Sequence, residues 1–160
     1  MQAKQFEGTM EPIENSTDNF LESCLFFNTN TFSRCLLKIA EKEFKHLKLS
    51  PAHASLLLIV YDTPGIGSKE LAAKLYLTPS TITRFVDALV KKKLVQRTSK
   101  GKATTISPTL KGLEFKKQVA VAYKKLYLKY TKILGEETAN SLSFSIHPAN
   151  LRIADYLEHQ

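Results

Sequence analysis

Residues 78–84, Thr-Pro-Ser-Thr-Ile-Thr-Arg, bring four hydroxyls and one guanidinium into seven positions. Hydroxyls donate and accept at short range, and a guanidinium donates in a fork that matches guanine O6/N7 or a phosphate. Thr78 is placed to cap a helix, and Pro79 falls at its first position, where a missing N–H costs nothing. Ile82, Phe85, Val86 and Leu89 then share one side at helical spacing. Ser80, Thr81, Thr83 and Arg84 are left on the other side, at the leading end. A helix that buries one stripe and presents small hydroxyls and an arginine at its tip suits a DNA major groove. Ahead of it, Ser68 and Lys69 open a shorter helix whose first N–H groups suit a phosphate. The two helices and their tight turn read as a helix-turn-helix.

Other reactive residue types support less. Cys24 and Cys35 are 11 residues apart, hence about three turns and roughly 16 Å along a helix. They cannot form a disulfide within one subunit. Cys24 reads as a core thiol, with redox sensing as the competing role. The four histidines include no His-x₃-His pair and the cysteines no Cys-x₂-Cys pair, so neither a metal site nor a cofactor is expected, Cys35, Glu41 and His46 being the loosest alternative. Without a Gly-rich phosphate loop, a nucleophile elbow or a paired acid, no enzyme is expected, and Tyr123, Tyr127 and Tyr130 read as packing residues.

The elements that must hold the reading helix follow from pattern. A long helix should run from Asp18 or Asn19 to about Leu47, with Phe20, Cys24, Leu25, Phe32, Cys35, Leu36 and Ile39 apolar. Ser50-Pro51 opens the next, whose run Leu56 to Val60 is apolar nearly all round and therefore deeply buried. Ile66, between two glycines, suits one short edge strand. Leu94–Thr98 and Ala103–Ser107 flank the turn Ser99-Lys100-Gly101-Lys102 as a β-hairpin, a wing with Lys100 and Lys102 at its tip. Pro108-Thr109 starts a helix of about 39 Å that Gly135 ends, too long for a domain this small to cover. Beyond it come short terminal helices on either side of Pro148, which need a partner surface.

Charge is distributed unevenly along the 160 residues, whose net is +8. Residues 1–64 carry a net of −2, residues 65–117 a net of +9 and residues 118–160 a net of +1. The excess falls on the helix-turn-helix and hairpin, where each neutralised phosphate releases counterions. No secretory signal is visible, and the longest uninterrupted apolar run, Leu56 to Tyr61, falls far short of the ~18–20 residues that cross a bilayer. A cytoplasmic protein without a membrane partner is expected.

The order of parts resembles the MarR family of winged helix-turn-helix regulators over roughly residues 20–160. The resemblance is carried by Gly67-Ser68-Lys69-Glu70-Leu71-Ala72, Thr81-Ile82-Thr83-Arg84-Phe85-Val86-Asp87, Leu94-Val95-Gln96-Arg97 and Thr109-Leu110-Lys111-Gly112. It implies a homodimer joined through N- and C-terminal helices, bound to a pseudo-palindromic operator on double-stranded DNA and answering to a small-molecule effector or an oxidant. Three departures stand out. The family's wing Asp-x-Arg is replaced by Lys100 and Lys102, Lys93 stands where a glycine usually ends the recognition helix, and Tyr76 occupies a turn position where many members have a small residue. Leu75-Tyr76-Leu77 and Cys24-Leu25-Phe26-Phe27 are similar to the organic-hydroperoxide-sensing branch, although Asn28 does not match its activating tyrosines.

The expectation is a mainly α fold, a winged helix-turn-helix with long dimerisation helices at both ends. Residues 1–17 would be a flexible N-terminus, 18–49 an N-terminal dimerisation helix, 50–112 the DNA-binding domain and 113–160 the C-terminal dimerisation helices. DNA contacts are expected from Ser68, Lys69, Thr78, Ser80, Thr81, Thr83, Arg84, Arg97, Lys100 and Lys102. The expected function is transcriptional regulation, most simply repression. The alternatives are a winged-helix protein-interaction module and a redox sensor built on Cys24.

Overall fold

A computed structural model describes residues 17–100 and 103–159. Its compact units divide inside the second helix, at Leu37/Lys38. In the first unit, α1 (Thr17–Ser23) is separated by one residue, Cys24, from α2 (Leu25–Phe44). The expected single long helix is therefore interrupted. The Ser23 hydroxyl donates to Phe20 O (3.0 Å) and the Asn28 side-chain amide to Glu22 O (2.7 Å). These side chains compete with the backbone ladder for its acceptors, as short polar residues do. Leu25, one of the apolar positions of that helix, is 73% exposed.

In the second unit, the end of α2 leads through a 3₁₀ turn (Lys45–Leu47) to α3 (Pro51–Asp62), β1 (Ile66–Gly67), α4 (Ser68–Leu75) and α5 (Pro79–Lys91). Then come β2 (Val95–Lys100), β3 (Ala103–Pro108), α6 (Leu110–Leu134) and α7 (Glu136–Glu158). The Ser50 hydroxyl caps α3, accepting from His53 N, with Pro51 behind it at the first position. Leu56, Leu57 and Val60 of α3 are fully buried. They pack in one core with Phe44, Leu71, Ile82, Val86, Leu89, Ile106 and Val119. The Phe44 ring meets Tyr123 edge-on at 4.9 Å. Burying such a side chain contributes roughly 1.5–3 kcal/mol, so this apolar centre, rather than any polar contact, holds the reading helix in place.

The three strands form an antiparallel sheet in the order β1-β3-β2, so the two-residue β1 is an edge, as expected for Ile66. Arg97 and Ile66 both register on Ile106, from opposite sides. Pairing of β2 with β3 continues to Lys100↔Ala103, two residues further toward the tip than the sequence pattern indicates.

Helix α6 starts where Thr109 caps it, accepting from Gly112 N at 3.0 Å, and ends at Gly135, whose φ of 82° suits a residue without Cβ. Helix α7 corrects another expectation, since it runs unbroken through Pro148. Proline removes one ladder bond, which leaves the Phe144 carbonyl without its helical partner. Residues 143–150 are all exposed, so water can bond that carbonyl instead. Only Ala139 of α7 is buried, while Phe144, Ile153 and Leu157 stand 80%, 55% and 64% exposed.

Candidate nucleic-acid interface

The turn between α4 and α5 forces its own geometry. Tyr76 takes a left-handed conformation, φ 52°, and its N–H reaches back to Ala72 and Ala73 carbonyls. That closes α4 and sends Leu77 and Thr78 into the next helix. A non-glycine residue there carries roughly 1 kcal/mol of backbone strain, which the packed helix pair must hold. The Thr78 hydroxyl caps α5, accepting from Thr81 N at 3.3 Å, and is hydrogen-bonded to Ser80 Oγ (3.1 Å) and Thr81 Oγ1 (2.9 Å). It therefore orders the tip.

Along α5, Ile82, Val86 and Leu89 are buried. Phe85 is half-buried against the His53 ring of α3, with centroids 4.5 Å apart. Ser80, Thr83 and Arg84 are exposed on the other side, and Thr81 is half-buried. Thr83 turns its hydroxyl inward along the helix, donating to Pro79 O at 3.0 Å. Arg84 has no ion-pair partner among the described residues. It is the side chain of the tip best able to reach outward. At the start of α4, Ser68 is half-buried and Lys69 exposed, and Gly67 supplies no side-chain cap, which leaves the first N–H groups open to an anion.

Arg97, on β2, has a different placement. Its guanidinium forms an ion pair with Asp87 of α5 and also donates to Thr83 O at 3.3 Å. The wing thus contains a carboxylate-oriented arginine after all. The carboxylate comes from the recognition helix rather than from the wing tip, and the pair ties strand to helix. Asp87 is the residue that motif reading missed. It stood in the quoted Thr81–Asp87 segment, but the register of β2 against α5 was not visible from spacing alone. Both side chains are partly exposed, so the pair stabilises the fold by no more than about 1 kcal/mol. Its effect lies in orientation.

The base of the wing is tightly built. Lys93 adopts φ 60°, which explains why a glycine suits that position. Its carbonyl accepts from the Thr109 hydroxyl at 2.6 Å, and Leu94 O accepts from Thr109 N at 3.1 Å. Gly112 lies against Leu94 so closely that a Cβ would stand 2.0 Å from Leu94 O. The Tyr61 hydroxyl donates to Gly112 O at 2.8 Å, and burial pushes the Tyr61 phenol up to about 12. Of Lys100 only the backbone, opposite Ala103, is described, and Lys102 lies outside the described residues.

Elsewhere, Cys24 is half-buried at the break between α1 and α2, outside the core, and Cys35 is exposed. Among the described residues, no three of His, Cys, Asp and Glu gather as metal ligands, and no helix is long and apolar enough to cross a membrane.

The MarR family model matches residues 49–102, the segment that holds α3, β1, α4, α5 and β2. The match shows a likeness to the MarR family over 54 of the 160 residues. No curated protein is similar enough in sequence to count as a relative. Solved structures are similar in fold. The transcriptional repressor CouR bound to a 23-mer DNA duplex has a TM-score of 0.71 at 22% identity, covering 81% of this chain and 94% of that one. CouR from Rhodococcus jostii RHA1 bound to p-coumaroyl-CoA gives 0.69 at 20%, covering 79% and 91%. A cysteine-to-serine mutant of MarR from E. coli complexed with operator DNA gives 0.70 at 19%, covering 78% and 92%. The mainly helical winged-helix fold is that of MarR regulators.

Proposed function

We propose that this chain is a homodimeric, sequence-specific DNA-binding regulator of MarR type, a repressor that a small molecule releases. The observation that carries the reading is the tip of α5, a capped helix end on which Arg84 and Ser80 are exposed one turn apart. Arg84 would grip a base edge in the major groove, with Ser80 and Thr81 as shorter contacts. Ser68 and Lys69 would hold a phosphate at the start of α4, and Lys100 and Lys102 would lie along phosphates at the wing tip. Thr78, Thr83 and Arg97, whose polar groups are engaged within the fold, act by positioning. CouR and MarR have been solved bound to DNA, and CouR also bound to an acyl-CoA, which supports an operator and an effector here.

Residues 50–112 would form the DNA-binding domain. The exposed apolar residues of α7 would be covered by a second copy, with two recognition helices about 34 Å apart, one DNA turn. The test is selection of bound duplexes from a random pool, followed by titration with Arg84→Ala. An enriched, approximately palindromic sequence is expected, on which Arg84→Ala loses about 1–3 kcal/mol. A pool that yields no enriched sequence overturns the reading.

A further inference from the structure

Helix α6 is far more basic than its place in the fold requires. It holds seven lysines against one acid, Glu114, a net of +6 in a chain whose total is +8. At 100° per residue, Lys117, Lys124, Lys125 and Lys132 fall within one arc of roughly 100°, centred on Val121 and Leu128. That arc lies opposite Val119 and Ala122, which are fully buried. All four lysines are exposed, and none of them has an ion-pair partner among the described residues. A solvated helix face ordinarily intersperses both signs and gains from i,i+4 pairs. Here Lys125, Lys129 and Lys132 repel one another instead, with no ion pair to offset it among the described residues.

We propose that this outward face of α6 binds the phosphate backbone of duplex DNA beyond the segment that α5 and the wing contact. The inference rests on the DNA-binding reading above and extends it to a second surface. A lipid surface fits poorly, because the apolar residues within the lysine arc are Leu110, Val121 and Leu128 alone, a narrow row, and interfacial helices need a broad apolar face. Duplex DNA carries one charge per ~1.7 Å, so spaced lysines engage it without a matched geometry. Once an operator is bound, neighbouring duplex is present at high effective concentration. The phosphates could belong to the flanks of the same duplex or to a second one.

The experiment uses full-length protein, a duplex of the selected site alone, and the same site with unrelated flanks of about 20 base pairs, longer than the ~37 Å of α6. The variants are Lys117→Gln, Lys124→Gln, Lys125→Gln and Lys132→Gln combined, and the same four positions changed to Arg. Wild type is expected to bind the flanked duplex more tightly. The glutamine variant should match wild type on the bare site and lose about tenfold on the flanked one. Its salt slope should fall by as much as ~0.9 per lysine engaged, and the arginine variant should restore both. If the phosphates come from a second duplex, the flanks add nothing. Wild type then brings two differently labelled duplexes together, and the glutamine variant does not. Equal behaviour of wild type and glutamine variant in both arms overturns the proposal, as does an arginine variant that fails like glutamine. Loss of bare-site binding in wild type would instead refute the operator reading itself.

Discussion

Gly112→Ala isolates the contact on which the wing's position depends. The added methyl would stand 2.0 Å from Leu94 O and 3.0 Å from Leu94 C. Both obstructing atoms are backbone, so no side chain can swing away. An ordinary carbon–oxygen contact needs a further ångström or more, and the first turn of α6 must retreat by that distance from the strand entrance. The retreat strains the Thr109 N–H to Leu94 O bond of 3.1 Å, the Thr109 hydroxyl to Lys93 O bond of 2.6 Å and the Tyr61 hydroxyl to Gly112 O bond of 2.8 Å. Overpacking costs about 1–3 kcal/mol, and each weakened hydrogen bond up to about 1.5 kcal/mol. Alanine's helix preference returns about 1 kcal/mol. The net expectation is a loss of about 2–4 kcal/mol, which at this length corresponds to roughly 5–15 °C in melting temperature.

Urea unfolding and thermal melting at one fixed protein concentration measure the loss, fixed because association shifts apparent stability. Gly67→Ala is the matched control. It adds the same methyl where nothing lies within 4 Å and the backbone is already extended at φ −76°. Alanine is the poorer N-cap but restricts the unfolded chain by about 0.4–1 kcal/mol, so the two effects oppose and the net change should stay within about 1 kcal/mol. A Gly112→Ala protein as stable as the Gly67→Ala protein would refute the packing argument.

Replacing Lys93 by glycine should raise stability by about 0.5–1 kcal/mol, because φ 60° strains any side chain there, whereas Lys93→Val should lower it; urea midpoints decide. Asp87→Ala removes a negative charge close to the proposed DNA face, which by electrostatics alone would tighten binding. If Asp87 holds Arg97 and the wing against α5, binding to the selected site should weaken instead, and the double variant with Arg97→Ala should be no worse than the worse single; tighter binding by Asp87→Ala would sink the positioning role. The imidazole of His53 is held below its ordinary value by burial and then by Lys92. The unfolded chain therefore takes up that proton first, and stability should decline as pH falls below about 6.5. Stability measured at pH 7.5 and 5.5 should fall less in His53→Gln than in wild type.

Much of the reading head was legible because it is specified locally. Thr78 and Pro79 mark the start of α5 at Pro79, and Gly135 ends α6 as expected, whereas its start falls at Leu110, behind the Thr109 cap, because Pro108 is held in β3. Caps and positive-φ positions are decided within four or five residues, which is the range a sequence displays. The misses are of two kinds. Cys24 and Pro148 fall where a local preference was overridden: side-chain hydrogen bonds interrupt one apolar stripe, and solvent exposure lets a helix pass through a proline. Arg97 and Asp87 are ten residues apart, on a strand and a helix, and only the placement of β2 on α5 joins them.

The same distinction sets what the site can do. Of the ten residues whose chemistry pointed to DNA, Thr78, Thr83 and Arg97 have polar groups committed to the fold, while the Ser80 and Thr81 hydroxyls, bonded to Thr78, each keep a further donor or acceptor for a ligand. Arg84 and Lys69 are exposed helix residues without an ion pair among the described residues, and the backbone N–H groups at the start of α4 have no side-chain cap. A guanidinium held rigid by a carboxylate orders its neighbours, whereas an unpaired one retains its donors for a ligand. Residue type therefore nominates DNA-binding groups, and hydrogen-bond occupancy in the fold divides them into those that reach outward and those that hold the reach in place.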